Sequence, residues 1–327
     1  MNKPVRVGLV GAGAIAGAHV EAAARLSEVV VTAIADPRRD AAEAMAARAK
    51  GKAFTSHADP DFASRTDLAI IATPPALHAA IALELIGAGV GVMVEKPFTL
   101  SPDEARQVVE AAAERGVPAV MASKFRYSAD VQATRGLIES GRLGHIEATE
   151  VTFSGVLDPT GTWRADPAQA GGGVIADNGP HVADLVRYLL GPVDAVRATA
   201  PSADRRERSA SLELRCGEVT ARAALSWDER LGDPYLRVVG TEAGLELDWP
   251  GGRIIGQGGG RPFGAGYDKL AALGANLMDV ARSLREGRPP QATGLDAVGS
   301  VDVLTGLYAS LRDGRWVELL SPVGSQP

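Results

Sequence analysis

The feature that most constrains the fold is a strand pattern that leads through a glycine-rich turn into a helix pattern. Val5 to Val10 is a β-rich run, Gly11-Ala-Gly13-Ala-Ile-Ala16 follows, and alanine-rich sequence continues from Gly17 to Leu26. The spacing matches the dinucleotide fingerprint with alanine in the third glycine's place, a replacement that still permits close helix packing. The glycines would let a pyrophosphate reach the helix N-terminus, where unpaired N–H groups and the helix dipole favour an anion. We therefore predict that a dinucleotide contacts Gly11, Gly13, Ala14, Ile15 and Ala16.

A second strand pattern ends in a residue suited to the ribose of the same ligand. Val29 to Ala35 is apolar and β-rich, and Asp36 follows about where a carboxylate accepts hydrogen bonds from the adenosine ribose hydroxyls. Such an acid favours NAD over NADP. Arg38 and Arg39 leave an alternative open, since a guanidinium there can accommodate a 2′-phosphate, although both also suit the solvated start of a helix. We predict NAD as the cofactor, with Asp36 and Arg38 among its contacts, and NADP as the less favoured alternative.

Two further strand patterns are followed by polar residues where ligands bind in parallel sheets. Leu68 to Ala72 precedes Thr73 and Pro74, and Val90 to Val94 precedes Glu95-Lys96-Pro97. Strands that alternate with helices indicate a doubly wound parallel sheet, in which ligands lie at the carboxyl ends of the strands. We therefore predict cofactor contacts from Thr73, Pro74, Glu95 and Lys96.

Lys96 and His78 each have a structural alternative. Lys96 precedes a proline, which favours an extended backbone and fixes the direction of its side chain, so its ammonium is suited to hold a substrate hydroxyl. A surface lysine paired with a carboxylate is the alternative. His78 lies in an alanine-rich helix pattern from about Ala76 to Ala88. We keep it as a candidate cofactor contact, although a packing histidine is the favoured interpretation.

A carboxylate and an imidazole four residues apart form the candidate catalytic pair. Asp177 and His181 follow Gly171-Gly-Gly173, and the apolar spacing beyond them predicts a helix with Pro180 in its first turn. Residues four apart share one helix face, so the carboxylate can orient the imidazole as a proton acceptor. The alternative is that Asp177 or Asn178 caps the helix and His181 is a satisfied polar residue.

The pattern changes in the second half of the chain. The alternation of strands and helices stops near residues 123–127, and period-two strand patterns then suggest a largely antiparallel sheet. We predict an α/β chain of two domains, a doubly wound dinucleotide-binding domain over residues 1–123 and an α+β domain with a large, mostly antiparallel sheet over residues 124–327. The glycine-rich segment from Gly251 to Gly266 is predicted to be an irregular loop.

Composition excludes several other classes of function. No apolar run approaches the roughly 20 residues that span a bilayer, and no signal-peptide pattern opens the chain, so we expect a cytoplasmic protein without a membrane partner. The net charge of −6 has no basic stripe, which argues against nucleic acid and favours a small-molecule partner. Cys216, the single cysteine, is given no chemical role. We expect no metal, because the remaining histidines form no ligand pattern: His19, His57, His78 and His145.

These motifs together resemble the Gfo/Idh/MocA oxidoreductases, a family named for glucose-fructose oxidoreductase and inositol dehydrogenase. The resemblance rests on the glycine fingerprint, on Glu95-Lys96-Pro97, and on the triple glycine followed by Asp177, His181 and Asp184. It implies an N-terminal Rossmann domain carrying NAD(P), a C-terminal α/β domain with an open sheet, and a substrate pocket between them. It also implies a homodimer or homotetramer built partly through that sheet, and a Lys96–Pro97 bond that is often cis.

The resemblance further implies roles for the candidate residues. Lys96 matches the lysine that binds the reacting hydroxyl, Asp177 the carboxylate, and His181 the histidine that often serves as acid/base. We expect a secondary alcohol of a sugar or cyclitol to lose its hydride to the nicotinamide while His181 accepts the hydroxyl proton and Lys96 stabilises the alkoxide. Lys96 as the proton carrier is the alternative. Further substrate contacts are predicted beside these segments, at Arg126, Trp163 and Arg164.

Two other hypotheses stay open at this point. One is a dinucleotide-bound sensor without turnover, against which the intact set of Lys96, Asp177 and His181 argues. The other is an enzyme of the same family acting on an imine or a glycosidic bond, which the same residues would serve. Asn178-Gly-Pro180 is one of several variants between the aspartate and the histidine, and it leaves the substrate open.

Overall fold

A computed structural model describes residues 3–202, 204, 206–256 and 259–319 of the chain. Its first part alternates strands and helices as far as residue 121. The strands are β1 (Val5–Val10), β2 (Val29–Ala35), β3 (Lys52–Phe54), β4 (Leu68–Ile71), β5 (Gly91–Val94) and β6 (Ala119–Met121). The helices are α1 (Ala14–Ala23), α2 (Arg39–Ala49), α3 (Pro60–Ser64), α4 (His78–Gly87) and α5 (Pro102–Arg115).

The second part is dominated by strands. Its strands are β7 (Ile146–Ser154), β8 (Ala195–Thr199), β9 (Ser209–Cys216), β10 (Val219–Ser226), β11 (Leu236–Gly240), β12 (Gly244–Asp248), β13 (Gly251–Gly256), β14 (Gly259–Phe263) and β15 (Val317–Glu318). Its helices are α6 (Ala129–Glu139), α7 (Pro167–Ala170), α8 (Val174–Leu190), α9 (Lys269–Glu286) and α10 (Gly294–Asp313). No helix within the described ranges is long and apolar enough to cross a membrane.

The contacts of the chain divide it into two compact units. The first runs to Lys124 and also contains Lys269–Val298, whereas the second consists of Phe125–Asp268 and the residues from Gly299 onward. The predicted boundary between residues 123 and 124 assigned every later residue to the second domain. The structure differs from it because α9 packs on α1, with Leu277 and Val280 in the core of the first unit. The functions predicted for the two domains stay predictions. Residues 1, 2 and 320–327, at the outer ends of the predicted domains, lie outside the described residues.

The first unit is a Rossmann fold, as predicted. Six parallel strands take the order β3-β2-β1-β4-β5-β6. Every residue of β4 and β5 is buried, as in central strands of a sheet covered on both faces. α5 begins with a capping box, in which the Ser101 hydroxyl and the Glu104 carboxylate each accept a hydrogen bond from the backbone N–H of the other residue.

The second unit contains one large sheet, also as predicted. Its order is β14-β13-β12-β11-β7-β10-β9-β8-β15, and only the pair β7 and β10 is parallel. α8 packs against β7, β9 and β10, and Val182, Leu185 and Val186 on the helix join Leu212 and Leu214 of the sheet in one core. The predicted irregular loop from Gly251 to Gly266 is wrong, since β13 and β14 pair as a hairpin there; residues 257 and 258 lie outside the described residues. The sequence pattern missed this hairpin because the segment is rich in glycine, which has little preference for strands.

Candidate active site

The two glycines of the turn between β1 and α1, Gly11 and Gly13, have different functions. Gly11 has φ +98°, and a Cβ there would lie 2.5 Å from the carbonyl oxygen of Ala72, so the fold requires this glycine. Among the described residues, a Cβ on Gly13 would meet nothing within 4 Å beyond its own chain neighbours, and no side chain caps the N-terminus of α1 that follows it. Ala14 and Ile15 form the first turn of α1, and Ala16 is buried. This open helix N-terminus fits a pyrophosphate.

Asp36 lies at the carboxyl end of β2 and is bound to the glycine turn. Its carboxylate accepts a hydrogen bond from the Ala12 N–H at 2.8 Å, and from the Arg38 N–H and guanidinium at 2.9 to 3.1 Å. Burial raises the pKa of Asp36, but the hydrogen bonds from Arg38 and Ala12 and the Arg38 charge outweigh burial and leave the pKa below its ordinary value. An ionised acid is therefore held where a ribose would be recognised, beside an exposed guanidinium.

Thr73 and His78 have opposite surroundings at the end of β4. The hydroxyl oxygen of Thr73 is buried and has no hydrogen-bond partner within the described part of the chain, while Pro74 follows it as the residue before a 3₁₀ turn. His78 is fully buried, and its ring nitrogens lie 2.9 Å from the carbonyl oxygens of Pro97 and Thr73. Burial lowers the pKa of His78. A ring without exposed surface does not touch a ligand in this conformation, so the structure supports the packing interpretation of His78.

Glu95 and Lys96 lie at the carboxyl end of β5, and Glu95 has a partner that no sequence motif indicated. Its carboxylate lies 2.7 Å from Nε2 of the buried His19 in α1, and accepts a 3.3 Å hydrogen bond from the Lys96 N–H. Burial raises the pKa of Glu95, but His19, Lys124 and Lys96 outweigh burial and lower it overall. The Lys96–Pro97 bond is cis.

The helix that carries Asp177 and His181 begins earlier than its sequence suggests. α8 starts at Val174, so Asp177 follows three helical residues and Pro180 lies inside the helix instead of in its first turn. The alternative that Asp177 or Asn178 caps the helix is therefore wrong. Asp177 and His181 do share a face, as predicted from their spacing.

Residues from far along the chain cap α8. The Val174 and Ile175 N–H groups donate to the backbone and side-chain oxygens of Glu207 at 2.8 and 3.0 Å, and the Ala176 N–H donates to the Tyr308 hydroxyl at 3.1 Å. A Cβ on Gly172 would collide with that hydroxyl, and one on Gly173 with the Glu207 backbone. The triple glycine therefore serves this cap directly.

The carboxylate of Asp177 is surrounded by groups from two other segments. The indole N–H of Trp227, directly after β10, donates to Asp177 at 3.3 Å. The guanidinium of Arg164 lies 3.7 Å from the same carboxylate and stacks 4.3 Å from the Trp163 ring centroid. Of the predicted substrate contacts, Arg164 and Trp163 are thus beside Asp177. Trp227 was missed, and its position after a strand was the only sequence signal.

His181 is held by aromatic rings. It is buried, and its ring centroid lies 4.9 Å from that of Phe125 and 5.9 Å from that of Phe153, both edge-on. Edge-on contacts fix the ring plane of an imidazole. The face of α8 thus presents a carboxylate and an imidazole whose orientations are fixed, an arrangement suited to proton transfer.

The prediction that Arg126 contacts substrate disagrees with the structure. Its guanidinium is 2% exposed and binds Asp184 of α8 through two hydrogen bonds of 2.6 and 3.2 Å. The same guanidinium stacks on Tyr188 at 5.1 Å. Arg126 and Asp184 fasten α8 to the segment before α6, and a charge so enclosed is not offered to a ligand.

The single cysteine has surroundings that disfavour reactivity. Burial raises the pKa of the Cys216 thiol to about 12, which disfavours the reactive thiolate. Among the residues that the structure describes, no cluster of three or more His, Cys, Asp or Glu is arranged to hold a metal ion.

Comparisons with known proteins agree with this arrangement. Residues 5–123 match the model of an oxidoreductase family with an NAD-binding Rossmann fold, and residues 131–246 match the GFO/IDH/MocA C-terminal domain. The chain is 32% identical to the 1,5-anhydro-D-fructose reductase of Ensifer adhaerens, over 96% of this chain and 98% of that protein.

Two solved structures extend the comparison to the fold. GenD2 from gentamicin A biosynthesis, in complex with NAD, is 28% identical with a TM-score of 0.86 and 98% of each chain covered. Levoglucosan dehydrogenase in complex with NADH and levoglucosan is 20% identical with a TM-score of 0.88, over 98% of this chain and 100% of that one, a likeness of fold. The chain, with its NAD-binding Rossmann fold and open-sheet second unit, belongs to the Gfo/Idh/MocA family of oxidoreductases.

Proposed function

We propose that this oxidoreductase transfers a hydride between the nicotinamide of NAD and a secondary alcohol or ketone of a sugar or cyclitol. In the oxidative direction His181 accepts the hydroxyl proton, Asp177 orients the imidazole, and Lys96 binds the reacting hydroxyl and stabilises the alkoxide as it forms. The relatives named above for anhydrofructose and levoglucosan support a ring polyol as the substrate class.

The observation that carries this proposal is the setting of Asp177 and His181 on α8. The Trp227 N–H reaches the Asp177 carboxylate, and Phe125 and Phe153 fix the plane of the His181 ring. A base and its orienting group that are already in position need little reorganisation when the proton moves. Arg164 adds a positive charge beside Asp177.

NAD is the preferred cofactor on the observations of the first unit. When bound, it supplies the hydride acceptor. The open N-terminus of α1 at Gly13 suits the pyrophosphate of NAD. The buried Thr73 hydroxyl, which has no hydrogen-bond partner among the described residues, can donate a hydrogen bond to the cofactor. The ionised Asp36 would accept hydrogen bonds from the adenosine ribose and repel a 2′-phosphate.

The substrate class is tested by following nicotinamide reduction with purified protein against inositols, aldoses, anhydro sugars, and amino or deoxy sugars. The proposal expects reduction of NAD, and weaker reduction of NADP, by a group of polyols that share one stereochemical arrangement. Absence of reduction by every polyol, while the protein binds NAD, would contradict it.

The open face of the large sheet supports assembly into a homodimer or a homotetramer. Seven charged side chains of alternating sign, the charge ladder, cross seven neighbouring strands. Neighbouring members are register partners. From β8 to β13 they are Arg197, Glu213, Arg222, Glu150, Arg237, Glu246 and Arg253.

The charge ladder is self-complementary under two-fold symmetry. A two-fold axis that lies between two such faces, along the strands and midway between Arg222 and Glu150, sets six of the seven members opposite a member of opposite charge in the other copy and leaves only the terminal Arg253 without a counterpart. Neighbours already lie close within one chain, with Glu246 2.6 Å from Arg237 and 2.7 Å from Arg253. We infer that a second copy of the chain covers this face.

A charge reversal tests that assembly. Glu213→Arg places three arginines in succession on the charge ladder and should shift sedimentation towards the monomer, and high salt should do the same to the wild type by screening the pairs. Glu114→Arg makes the same charge change on the exposed side of α5 and serves as the control. An unchanged assembly in Glu213→Arg at low salt would overturn this interface.

A further inference from the structure

A row of aromatic side chains lies along one edge of the large sheet. β7 and β10 are parallel, and β11 is antiparallel to both β7 and β12, so the carboxyl ends of β7, β10 and β12 share an edge with the start of β11. One aromatic residue lies at this edge on each of the four strands. We call these residues the aromatic edge, and in strand order they are Trp249, Tyr235, Phe153 and Trp227.

The aromatic edge is connected to the catalytic pair along its length. Trp227 donates its indole N–H to Asp177, and Phe153 lies against His181. Phe125 packs against both His181 and Trp249, with its ring centroid 4.9 Å from that of His181 and 6.2 Å from that of Trp249. Trp249 and His181 therefore pack against the same phenylalanine.

Trp249 is the one exposed member of this edge. Trp249 is 40% exposed, whereas Tyr235, Phe153 and Trp227 are at most 5% exposed. The indole is nevertheless held firmly. Tyr235 stacks on it at 4.6 Å with an interplanar angle of 26°, and Tyr267 meets it edge-on at 5.6 Å. A large indole that is fixed on one side, partly open to solvent, and packed against the same phenylalanine as His181 has the form of a binding platform.

We propose that Trp249 binds one face of the substrate ring and so determines which ring polyols are accepted. This inference rests on the proposed function. Ring sugars and cyclitols with mainly equatorial hydroxyls turn a patch of axial C–H groups outward, and these C–H groups carry the partial positive charge that an aromatic face attracts. The substrate class is thus a six-membered ring polyol with at least one face free of axial hydroxyls. A rigid indole loses little conformational freedom on binding it.

The proposed platform contributes to substrate binding and not to the chemical step, so its loss should change KM and not kcat. Trp249→Ala should raise the KM for the ring substrate by about tenfold, as expected for the loss of a stacking contact and some buried area, while kcat and the KM for NAD change little. Trp249→Phe should lie between alanine and wild type. Trp316→Phe is the matched control, since Trp316 lies under Arg215 away from the aromatic edge.

Epimers sharpen the test further. An epimer with one axial hydroxyl on the stacked face should be discriminated against by the wild type, and Trp249→Ala should lose most of this discrimination. An unchanged KM and unchanged epimer preference in Trp249→Ala would overturn the platform, as would a change in assembly alone, which would make Trp249 a contact between copies.

Failure of the platform and failure of the proposed function have different signatures. Turnover by wild type with no effect of Trp249→Ala removes only the platform. If no polyol is turned over, fluorescence titration of wild type and Trp249→Phe with the same ring compounds tests binding alone. Quenching that requires Trp249 would support the platform, and the absence of quenching in wild type would reject it.

Discussion

At the scale of single residues, the candidate catalytic pair could be proposed from the sequence, but the groups that hold it in place could not. Asp177 and His181 were identified by a spacing of four within a helix, a local rule. Trp227 and His19 act on Asp177 and Glu95 from 50 and 76 positions away along the chain. No local pattern indicates such a partner. Arg126 shows the converse error, since a residue next to a candidate segment proved to be a buried ion-pair partner.

Cofactor preference depends on Asp36 and Arg38. Asp36→Ala should lower the ratio of kcat/KM for NAD to that for NADP by at least about tenfold, because it removes a charged acceptor for the ribose and a source of repulsion for a 2′-phosphate. Arg38→Ala should leave NAD use nearly unchanged and weaken use of NADP. Arg106→Ala, which removes an exposed arginine of α5 paired with Asp103, is the control. A NAD to NADP ratio that is insensitive to Asp36→Ala would contradict the assignment.

Glu207 gives stability a pH dependence of definite sign. Burial raises its pKa, against the hydrogen bonds from Tyr308 and the backbone, so the folded protein holds this proton more tightly than the unfolded chain. Its contribution is fully present below the unfolded pKa, about 4.3, and is lost as the pH rises through the folded pKa. Glu207→Gln cannot titrate.

Urea unfolding of wild type and Glu207→Gln between about pH 4 and pH 8 measures this difference. The free energy of unfolding of wild type should fall relative to that of the variant as the pH increases. Parallel pH profiles for the two proteins would show that Glu207 has the same pKa in both states.

At the scale of elements, α8 is placed by a cap at its first turn and by an ion pair further along the helix. The sequence predicted the helix and its apolar face, because those follow from spacing, but Pro180 suggested a start that is too late. The first turn is capped by Glu207 and Tyr308, and the triple glycine makes room for them. Sequence patterns record local caps and miss those supplied by tertiary contacts.

The ion pair between Asp184 and Arg126 should dominate the fastening of α8. Asp184→Asn leaves a buried guanidinium without its counter-charge and should cost about 3–5 kcal/mol in the free energy of unfolding. The double variant Arg126→Met with Asp184→Leu removes both charges and should be more stable than either single change. Denaturant unfolding measures all of these. Equal losses that simply add in the double variant would show that the pair does not act as a unit.

At the scale of the whole molecule, both sheets were predicted in kind, and the division of the chain was not. Strand and helix periods gave the parallel and the antiparallel sheet. The placement of α9 in the first unit depends on its apolar face packing on α1, a pairing between residues some 250 positions apart. The charge ladder also appears only when seven strands are in register, since its members are scattered from residue 150 to residue 253.

The central claim is that His181 accepts the proton when a ring polyol is oxidised by NAD. The measurement that tests it most directly is the rate of nicotinamide reduction by wild type, His181→Ala and His145→Ala with a polyol that the wild type oxidises. His145 is an exposed histidine outside the site and serves as the control. We predict a loss of about a hundred- to ten-thousand-fold in kcat for His181→Ala alone. A His181→Ala variant that reduces NAD at the wild-type rate, while Lys96→Ala does not, would contradict the account and assign the proton to Lys96.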